Sequence, residues 1–321
     1  MLRIHLKNCF NILFSVCVLC SCSGKIANTL KPDGYEKGTV MTIESGDLKV
    51  VFVDNTEVKP DHKAGYNGIA QLSHVKLDTP VFVPDYAGFN LEHIFGGDSL
   101  HQLFEPRRHP MTLFRKSGDV VLLYQEATPL SGVESLTEFK VVNPHYIDIT
   151  FACIFHSEQF FSHQYAGLFW ASYIQKPDDK KIYFKGVEEN DLQNKWISAY
   201  SEEHGVNSTH RSIGDKNDLF FSENFNARLA NHYSKFRFTD PFYFGRFGKM
   251  VLAYFFDTKE IIRFSQSPTG GGESNPAWDF QYIIPYPETG KKYSFKVRMI
   301  YKPFINEEDI SNEYKKWKKN K

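Results

Sequence analysis

Near its C-terminus the chain reads YSFKVRMIYK over residues 293–302, where apolar and polar side chains alternate with the single exception of Ile300. Residues 147–153 read IDITFAC and repeat this alternation. A period of two with one apolar face is what a half-buried antiparallel strand requires. Shorter runs that we also interpret as strands occur at 48–53, 120–125, 168–174, 236–238 and 250–256. The sequence therefore predicts strands over most of the chain.

Turn sequences separate these runs, namely KSGD at 116–119, PDD at 177–179 and TG at 289–290. Aromatic residues make up 16% of the chain, and their preference for strands fits the same interpretation. We find no repeat and no domain boundary, and we predict an all-β fold, one large antiparallel β-sandwich over residues 41–306. A short C-terminal helix is expected at 307–321, solvent-exposed by default, with acids first and lysines last as the helix dipole favours.

The first 21 residues have the layout of a secretory signal peptide. Arg3 and Lys7 precede an apolar stretch of about ten residues, too short for a membrane-spanning helix, which needs roughly 20. Residues 19–22 read LCSC, which resembles a bacterial lipobox and implies lipidation of Cys22. We expect an exported lipoprotein anchored in a bacterial membrane, periplasmic or cell-surface, with a polar tether at 22–40. A plain secretory peptide cut nearby is the alternative.

Charge and cysteine content exclude further classes of protein. The 38 basic and 38 acidic residues balance, so no electrostatic attraction to nucleic acid is expected. Cys153 is the one cysteine outside the leader, which leaves it no partner for an internal disulfide. Because it lies in phase with the apolar residues of its strand, we expect a buried thiol and not a nucleophile.

Four clusters of polar residues are candidates for a functional site. In the first, Glu92 and His93 precede EPRRHP at 105–110, which contains Arg107 and His109. An arginine fork suits a carboxylate, a phosphate or the hydroxyls of a sugar. The alternative is a surface loop whose arginines pair with nearby acids.

The second cluster is HSEQFFSHQY at 156–165, followed by Trp170. Histidine titrates near neutral pH, which makes His163 a candidate general acid; a packed or exposed loop histidine is the alternative. The third cluster is EEHGVNSTHR at 202–211, where His204 and His210 are predicted to face a substrate. Its spacing matches no standard zinc signature, so no cofactor is predicted, and a divalent metal ion in this loop is the alternative.

The fourth cluster joins a glycine-rich segment, SQSPTGGG at 265–272, to NPAWDFQ at 275–281. No helix is predicted after the glycines, which excludes a phosphate-binding loop. Trp278, Asp279 and Gln281 combine an aromatic ring, an acid and an amide, a composition typical of sugar sites. A structural hydrogen-bonded pair is the alternative.

The large predicted β domain and two short motifs within these clusters resemble the galactose mutarotase-like superfamily. This is the β-supersandwich of aldose 1-epimerases and many carbohydrate enzymes. The family carries its histidine general acid in an NHxYxxL segment, and residues 162–168 read SHQYAGL, which departs at the first position. Its general base is the glutamate of an ExQ strand, and residues 279–281 read DFQ, with an acid one methylene shorter. The family's earlier arginine and histidine correspond to Arg107 and His109.

The resemblance implies carbohydrate chemistry in a cleft. His163 is expected to protonate a ring or glycosidic oxygen, and Asp279 to take a proton from the substrate. Trp170 or Trp278 is expected to stack on a pyranose face. The residues expected to hold a mono- or oligosaccharide, with a uronic acid as one option, are Glu92, His93, Arg107, His109, His204, His210 and Gln281.

Two other functions remain open at this point. A non-catalytic glycan-binding lipoprotein would use the same cleft, and an assembly lipoprotein would have no small ligand. If the protein is an enzyme, the fold family accommodates epimerases, glycoside hydrolases and lyases alike.

Overall fold

A computed structural model of the chain describes residues 29–77, 79–98, 103–225, 228–257 and 259–319. The described part forms nineteen strands and three helices. The strands are β1 Glu36–Gly38, β2 Val40–Ser45, β3 Leu48–Val53, β4 Gly68–His74, β5 Asn90–Phe95, β6 Met111–Ser117, β7 Val120–Gln125, β8 Val133–Val142, β9 Tyr146–Phe155, β10 Tyr165–Ala171, β11 Ile182–Glu188, β12 Asp191–Ala199, β13 Thr209–Ser212, β14 Tyr233–Phe238, β15 Phe242–Phe247, β16 Met250–Asp257, β17 Ile261–Ser267, β18 Ala277–Pro285 and β19 Lys292–Pro303. The helices are α1 Glu105–Arg108, α2 Arg228–Asn231 and α3 Glu307–Lys319.

Most strands belong to one sheet of 16 strands, in the order β1-β6-β7-β8-β9-β19-β16-β15-β11-β14-β13-β17-β18-β10-β5 with β12 beside β11. Strands β2, β3 and β4 form a second, three-stranded sheet. The pairings are antiparallel apart from β13 with β14. The prediction of a large, mainly antiparallel β-sandwich is confirmed, and β3 and β7 have the bounds expected from their apolar runs.

Aromatic rings fill the main core. Trp170 on β10 stacks on Phe280 of β18 with ring centroids 5.1 Å apart, and the edge of Phe151 on β9 meets Trp170 at 4.8 Å. Cys153, on the same face of β9 as Phe151, is fully buried and unpaired, as the sequence predicts. Because side chains alternate along each strand, the other face of β10 and β18 is free to form a site.

The C-terminal helix is confirmed, but it is packed against the sheet and not merely solvated. Its apolar face buries Ile310, Tyr314 and Trp317 against β15 and β16. Lys302 of β19 also binds Asp309 at 2.8 Å and Glu313 at 3.0 Å. Apolar burial and ion pairing together attach this helix to the domain.

The described part of the segment predicted as a tether contacts the sheet. Thr29 Oγ1 donates to Glu134 Oε1 at 2.6 Å, and β1 pairs with β6. The predicted signal peptide, 1–21, and Cys22 lie outside the described residues. No helix in the described ranges combines the length and apolar character needed to cross a membrane.

Candidate functional site

A cavity of about 560 Å³ opens on the face of β5, β10 and β18 that is turned away from the main core. Five of the residues singled out in the sequence line this cavity: Glu92, His93, Arg107, His204 and Asp279. Helix α2 and the segments before β6 and after β10 complete the wall. The cavity therefore combines three of the four clusters.

A bulge in β5 explains why two neighbouring residues both reach the cavity. Phe169 on β10 pairs with His93, whereas the next residue, Trp170, pairs with Leu91. Glu92 is thus the extra residue on the bulged strand. Because a bulge changes the direction of the side chains on its strand, Glu92 and His93 can face the same space.

The carboxylate of Glu92 is held by two donors. Arg107 Nη1 donates to Glu92 Oε1 at 2.9 Å, and the hydroxyl of Tyr173 donates to the same oxygen. The Arg107 guanidinium also lies 4.0 Å from the ring centroid of Tyr66, a cation–π contact. Arg107 is therefore engaged by the protein itself, and Glu92 is fixed in the wall.

His93 lies beside this ion pair, with its Nε2 3.6 Å from Glu92 Oε2. Its ring packs against Phe104 at 4.4 Å and against Phe169 at 5.3 Å. Burial lowers the pKa of His93, although the charge of Glu92 opposes the shift. Histidine at this position is therefore suited to accept a proton or a hydrogen bond in its neutral form.

Asp279 lies in the cavity wall and is 1% exposed. Its Oδ1 accepts the backbone N–H of Ser172 at 3.1 Å, while no hydrogen-bond donor in the described part of the chain contacts Oδ2. Burial raises the pKa of Asp279 well above its ordinary range, and the negative charge of Glu92 raises it further. A protonated Asp279 would have Oδ2–H available to donate to a bound molecule.

His204 and Arg228 form the basic part of the wall. His204 Nδ1 lies 3.0 Å from Ser267 Oγ on β17. Burial lowers the pKa of His204, and the charge of Arg228 lowers it further. No acidic side chain within the described ranges forms an ion pair with Arg228. Arg228, at the start of α2, thus adds a positive charge to the cavity.

Two of the predicted aromatic contacts are not available to a ligand. Trp170 and Trp278 are 1% and 0% exposed, and neither lines the cavity as far as the structure describes the chain. Trp278 packs against Gly245 and donates its indole N–H to Lys180 O at 3.2 Å. The prediction that these rings stack on a sugar is wrong. Side chains alternate along β10 and β18, so the strand face that brings Phe169 and Asp279 to the cavity wall leaves Trp170 and Trp278 in the core.

His210 and Gln281 are structural residues in this arrangement. His210 Nδ1 contacts Ser234 Oγ at 2.6 Å, and burial lowers its pKa to about 3. Gln281 Nε2 donates to Ser265 Oγ at 2.7 Å, beneath α2. Both side chains are buried away from the cavity lining that the structure describes.

Comparison with known proteins yields a match in fold and none in sequence. No protein-family model and no curated protein matches the chain. The crystal structure of a GalM/aldose epimerase homologue from C. elegans superposes with a TM-score of 0.50 at 8% identity, covering 84% of this chain and 100% of that one. The chain has the galactose mutarotase-like fold. A putative aldose 1-epimerase from Escherichia coli K12 is similar over 83% of this chain and 99% of its own, at 10% identity and a TM-score of 0.49.

In this galactose mutarotase-like fold, the two motifs that support the resemblance lie in different surroundings. Asp279 lines the cavity, whereas neither His163 nor His109 is among its described lining residues. His163 precedes β10 by two residues, and its ring lies 4.5 Å from that of Phe220. The stretch from Tyr165 to Phe169 spans about 13 Å of strand at 3.3 Å per residue, which places His163 beyond the cavity.

Three polar side chains of the wall were not expected from the sequence: Tyr66, Tyr173 and Arg228. Tyr66 and Tyr173 meet edge to face at 5.5 Å beside Arg107. Neither belongs to a polar cluster, so only the fold reveals them. Arg228 lies about 20 residues past the third cluster and reaches the site through α2.

The described residues contain no group of three or more His, Cys, Asp or Glu side chains arranged to hold a metal ion. His204 and His210 diverge, because one lines the cavity and the other is buried against Ser234. The alternative of a metal site built from both histidines of this loop therefore has no support in the geometry.

Proposed function

We propose that the protein binds a mono- or oligosaccharide in this cavity and carries out acid–base chemistry on it. The observation that carries the proposal is the convergence of Glu92, His93, His204 and Asp279 on one cavity with an unpartnered carboxyl oxygen. Apolar walls with a few convergent polar groups are typical of small-molecule sites. The fold shared with an aldose epimerase homologue supports a sugar as the ligand.

In the proposed chemistry Asp279 donates a proton to the substrate through Oδ2. This reverses the role of base expected from the sequence, because a buried carboxyl with one N–H contact and no cation is more stable when protonated. His93, neutral and beside Glu92, would accept a proton from the ligand. The pair replaces His163 and Asp279 as the proposed acid and base.

We further propose that the saccharide is acidic, as in a uronic acid. Arg107 and Arg228 line the cavity; Arg107 is paired with Glu92, whereas Arg228 forms no ion pair with an acidic side chain in the described part of the chain. Because Asp279 is proposed to be uncharged, the wall has a positive surplus. A carboxylate next to Arg228 and His204 would balance this surplus.

A thermal-shift screen of the purified protein against uronic acids, neutral sugars and their oligosaccharides tests the binding step. A ligand at 100 times its dissociation constant adds about 2.7 kcal/mol to the free energy of unfolding and so raises the melting temperature. We expect a shift with acidic saccharides that is reduced in Arg228→Gln. A cooperative melt with no shift for any saccharide would reject the proposal.

A non-catalytic glycan-binding protein is the second candidate. It is favoured by one observation, the position of the expected general acid His163 beside Phe220 and outside the cavity. This candidate predicts saturable binding without product and unchanged affinity in Asp279→Asn. The assembly lipoprotein requires scattered polar residues, and the shared cavity argues against it.

We also propose that the protein is exported and anchored in a bacterial membrane through a lipid on Cys22. The support is the order of features in residues 1–22, where positively charged residues come first, an apolar stretch follows and the sequence LCSC comes last. In the bacterial cell, Cys22→Ser is expected to move the protein from the membrane fraction to the soluble fraction. Equal membrane association of both forms would contradict the lipid anchor.

A further inference from the structure

An aromatic surface lies at the end of the sheet where the His163 loop meets the segment before α2. Phe220 is 59% exposed, and the ring of His163 lies 4.5 Å from it. Tyr286, 68% exposed, is attached to the same loop, because its backbone N–H donates to Gln164 O at 2.7 Å. We call Phe220, His163, Gln164 and Tyr286 the aromatic rim.

The backbone around Phe220 is held in place on both sides. The hydroxyl of Tyr165 donates to Phe220 O at 2.7 Å, and the N–H of Ser222 donates to Gly97 O at 2.8 Å. Gly97 has φ +86°, and a Cβ at this position would lie 2.3 Å from Phe220 O. Only glycine permits this close approach, so the exposed ring is presented on a fixed backbone.

Two strained residues lie together in the rim. Gln164 has φ +62° and Tyr286 has φ +49°, both in the left-handed region that non-glycine residues rarely occupy. Each such residue costs on the order of 1 kcal/mol or more and concentrates at ligand-binding sites. Tyr286 thus combines a strained backbone with a side chain that is largely exposed.

Packed aromatic side chains connect the backbone of the aromatic rim to the cavity wall. Phe95 lines the cavity, and its ring centroid lies 5.7 Å from that of Phe225 and 6.4 Å from that of Phe221. Phe221 directly follows Phe220 in the chain. Gly97, which touches Phe220, is two residues from Phe95 and therefore at most about 7 Å away along the chain. A ligand that extends out of the cavity along β5 would meet the rim next.

We propose that the aromatic rim is a second saccharide subsite, which binds a further sugar ring of an oligosaccharide whose reacting end occupies the cavity. Phe220 and Tyr286 offer apolar ring faces for the C–H surface of a pyranose, while His163 and Gln164 offer hydrogen bonds to its hydroxyls. This inference rests on the proposed function, deepens it from a sugar to an oligosaccharide, and assigns a role to the His163 loop.

The test measures affinity for a monosaccharide and for the matching tri- or tetrasaccharide, using a uronic acid series and a neutral series, in the full-length protein. In Phe220→Ala and Tyr286→Ala we expect the oligosaccharide to bind roughly fivefold to tenfold more weakly. The monosaccharide is expected to bind within twofold of wild type. Leu192→Ala, at an exposed apolar residue on β12, is the matched control and should change neither affinity.

Each result separates the two proposals. Oligosaccharide affinity within twofold of wild type in both variants would overturn the subsite while leaving the cavity proposal intact. An equal loss for monosaccharide and oligosaccharide would also overturn it, because the variants would then be acting on the cavity. Unchanged glycan affinity with loss of self-association would assign the rim to a second copy of the chain. No saccharide binding to wild type would reject the proposed function itself.

Discussion

Two buried aspartates, Asp215 beside β17 and Asp279 on β18, lie in contrasting environments. Asp215 Oδ2 accepts Arg263 Nε at 2.7 Å, and its Oδ1 accepts the N–H of Asn217 at 3.0 Å. Asp279 lines the cavity and accepts one backbone N–H at Oδ1, and no donor in the described part of the chain contacts its buried Oδ2. The first carboxylate is neutralised by its surroundings, whereas the second has one oxygen without a hydrogen-bond partner in the described part of the chain.

The difference appears as opposite pKa shifts. Burial raises the pKa of Asp279, and among the described residues no cation counters this shift. Burial also acts on Asp215, but the hydrogen bond and charge of Arg263 outweigh it and lower the pKa. Burial of an aspartate is therefore compatible with pKa shifts of opposite sign, and the partner of the carboxyl group decides the direction.

Removing the partner of Asp215 is expected to have the largest effect on stability. Arg263→Ala would leave a buried carboxylate unpaired, and we expect the free energy of unfolding to fall by about 3–5 kcal/mol. Denaturant unfolding measures this loss. In the matched control, Asp215→Asn combined with Arg263→Met, most of the stability should return. A loss below about 1 kcal/mol in the single variant would remove the contrast between the two aspartates.

The pH dependence of stability should have opposite signs at the two sites. The contribution of Asp279 is fully present below its unfolded pKa of about 3.9 and is lost as the pH rises toward the raised folded value. Compared with Asp279→Asn, wild type should lose about 1.4 kcal/mol per pH unit in that window. Asp215 behaves in reverse, because its contribution is present above about pH 3.9 and is lost as the pH falls. For each variant, the quantity to compare is the difference in free energy of unfolding between wild type and that variant as a function of pH. If this difference had a slope of the same sign for Asp215→Asn and Asp279→Asn, the account would be contradicted.

The smallest effect is expected at His163. Because its ring is half-buried beside Phe220, His163→Ala should change the free energy of unfolding by less than about 1 kcal/mol. Turnover of a short substrate should stay within about threefold of wild type, as measured by steady-state kinetics. A loss of a hundredfold or more would restore the acid role expected from the sequence and would place the reaction outside the cavity.

The strands were predictable because alternation is a local signal. Leu48–Val53 and Val120–Gln125 have the bounds that their apolar pattern indicates. The same alternation could have excluded Trp278 from the candidate site residues, because Trp278 lies one residue from Asp279 and must face the other side of β18. The sequence interpretation placed both residues in the site because it considered composition and not strand face.

The rest of the site depends on contacts that are distant in sequence. Tyr173 reaches Glu92 across 81 residues, and Arg228 enters the wall on a four-residue helix. Glu92 faces the cavity because of a bulge in its pairing with β10, which no pattern within β5 reveals. The raised pKa of Asp279 depends in turn on the absence of a cation beside it in the described part of the structure.

The most direct test of the central claim is a time course of proton NMR spectra, with the saccharide panel incubated with wild type and with Asp279→Asn at neutral pH. The signals of anomeric and vinylic protons report epimerisation, hydrolysis and elimination in one experiment. We predict a change with time for at least one saccharide in the presence of wild type, slowed by about a hundredfold or more in Asp279→Asn. Identical progress with both proteins, or no change with wild type for any saccharide, would contradict the assignment of acid–base chemistry to this cavity.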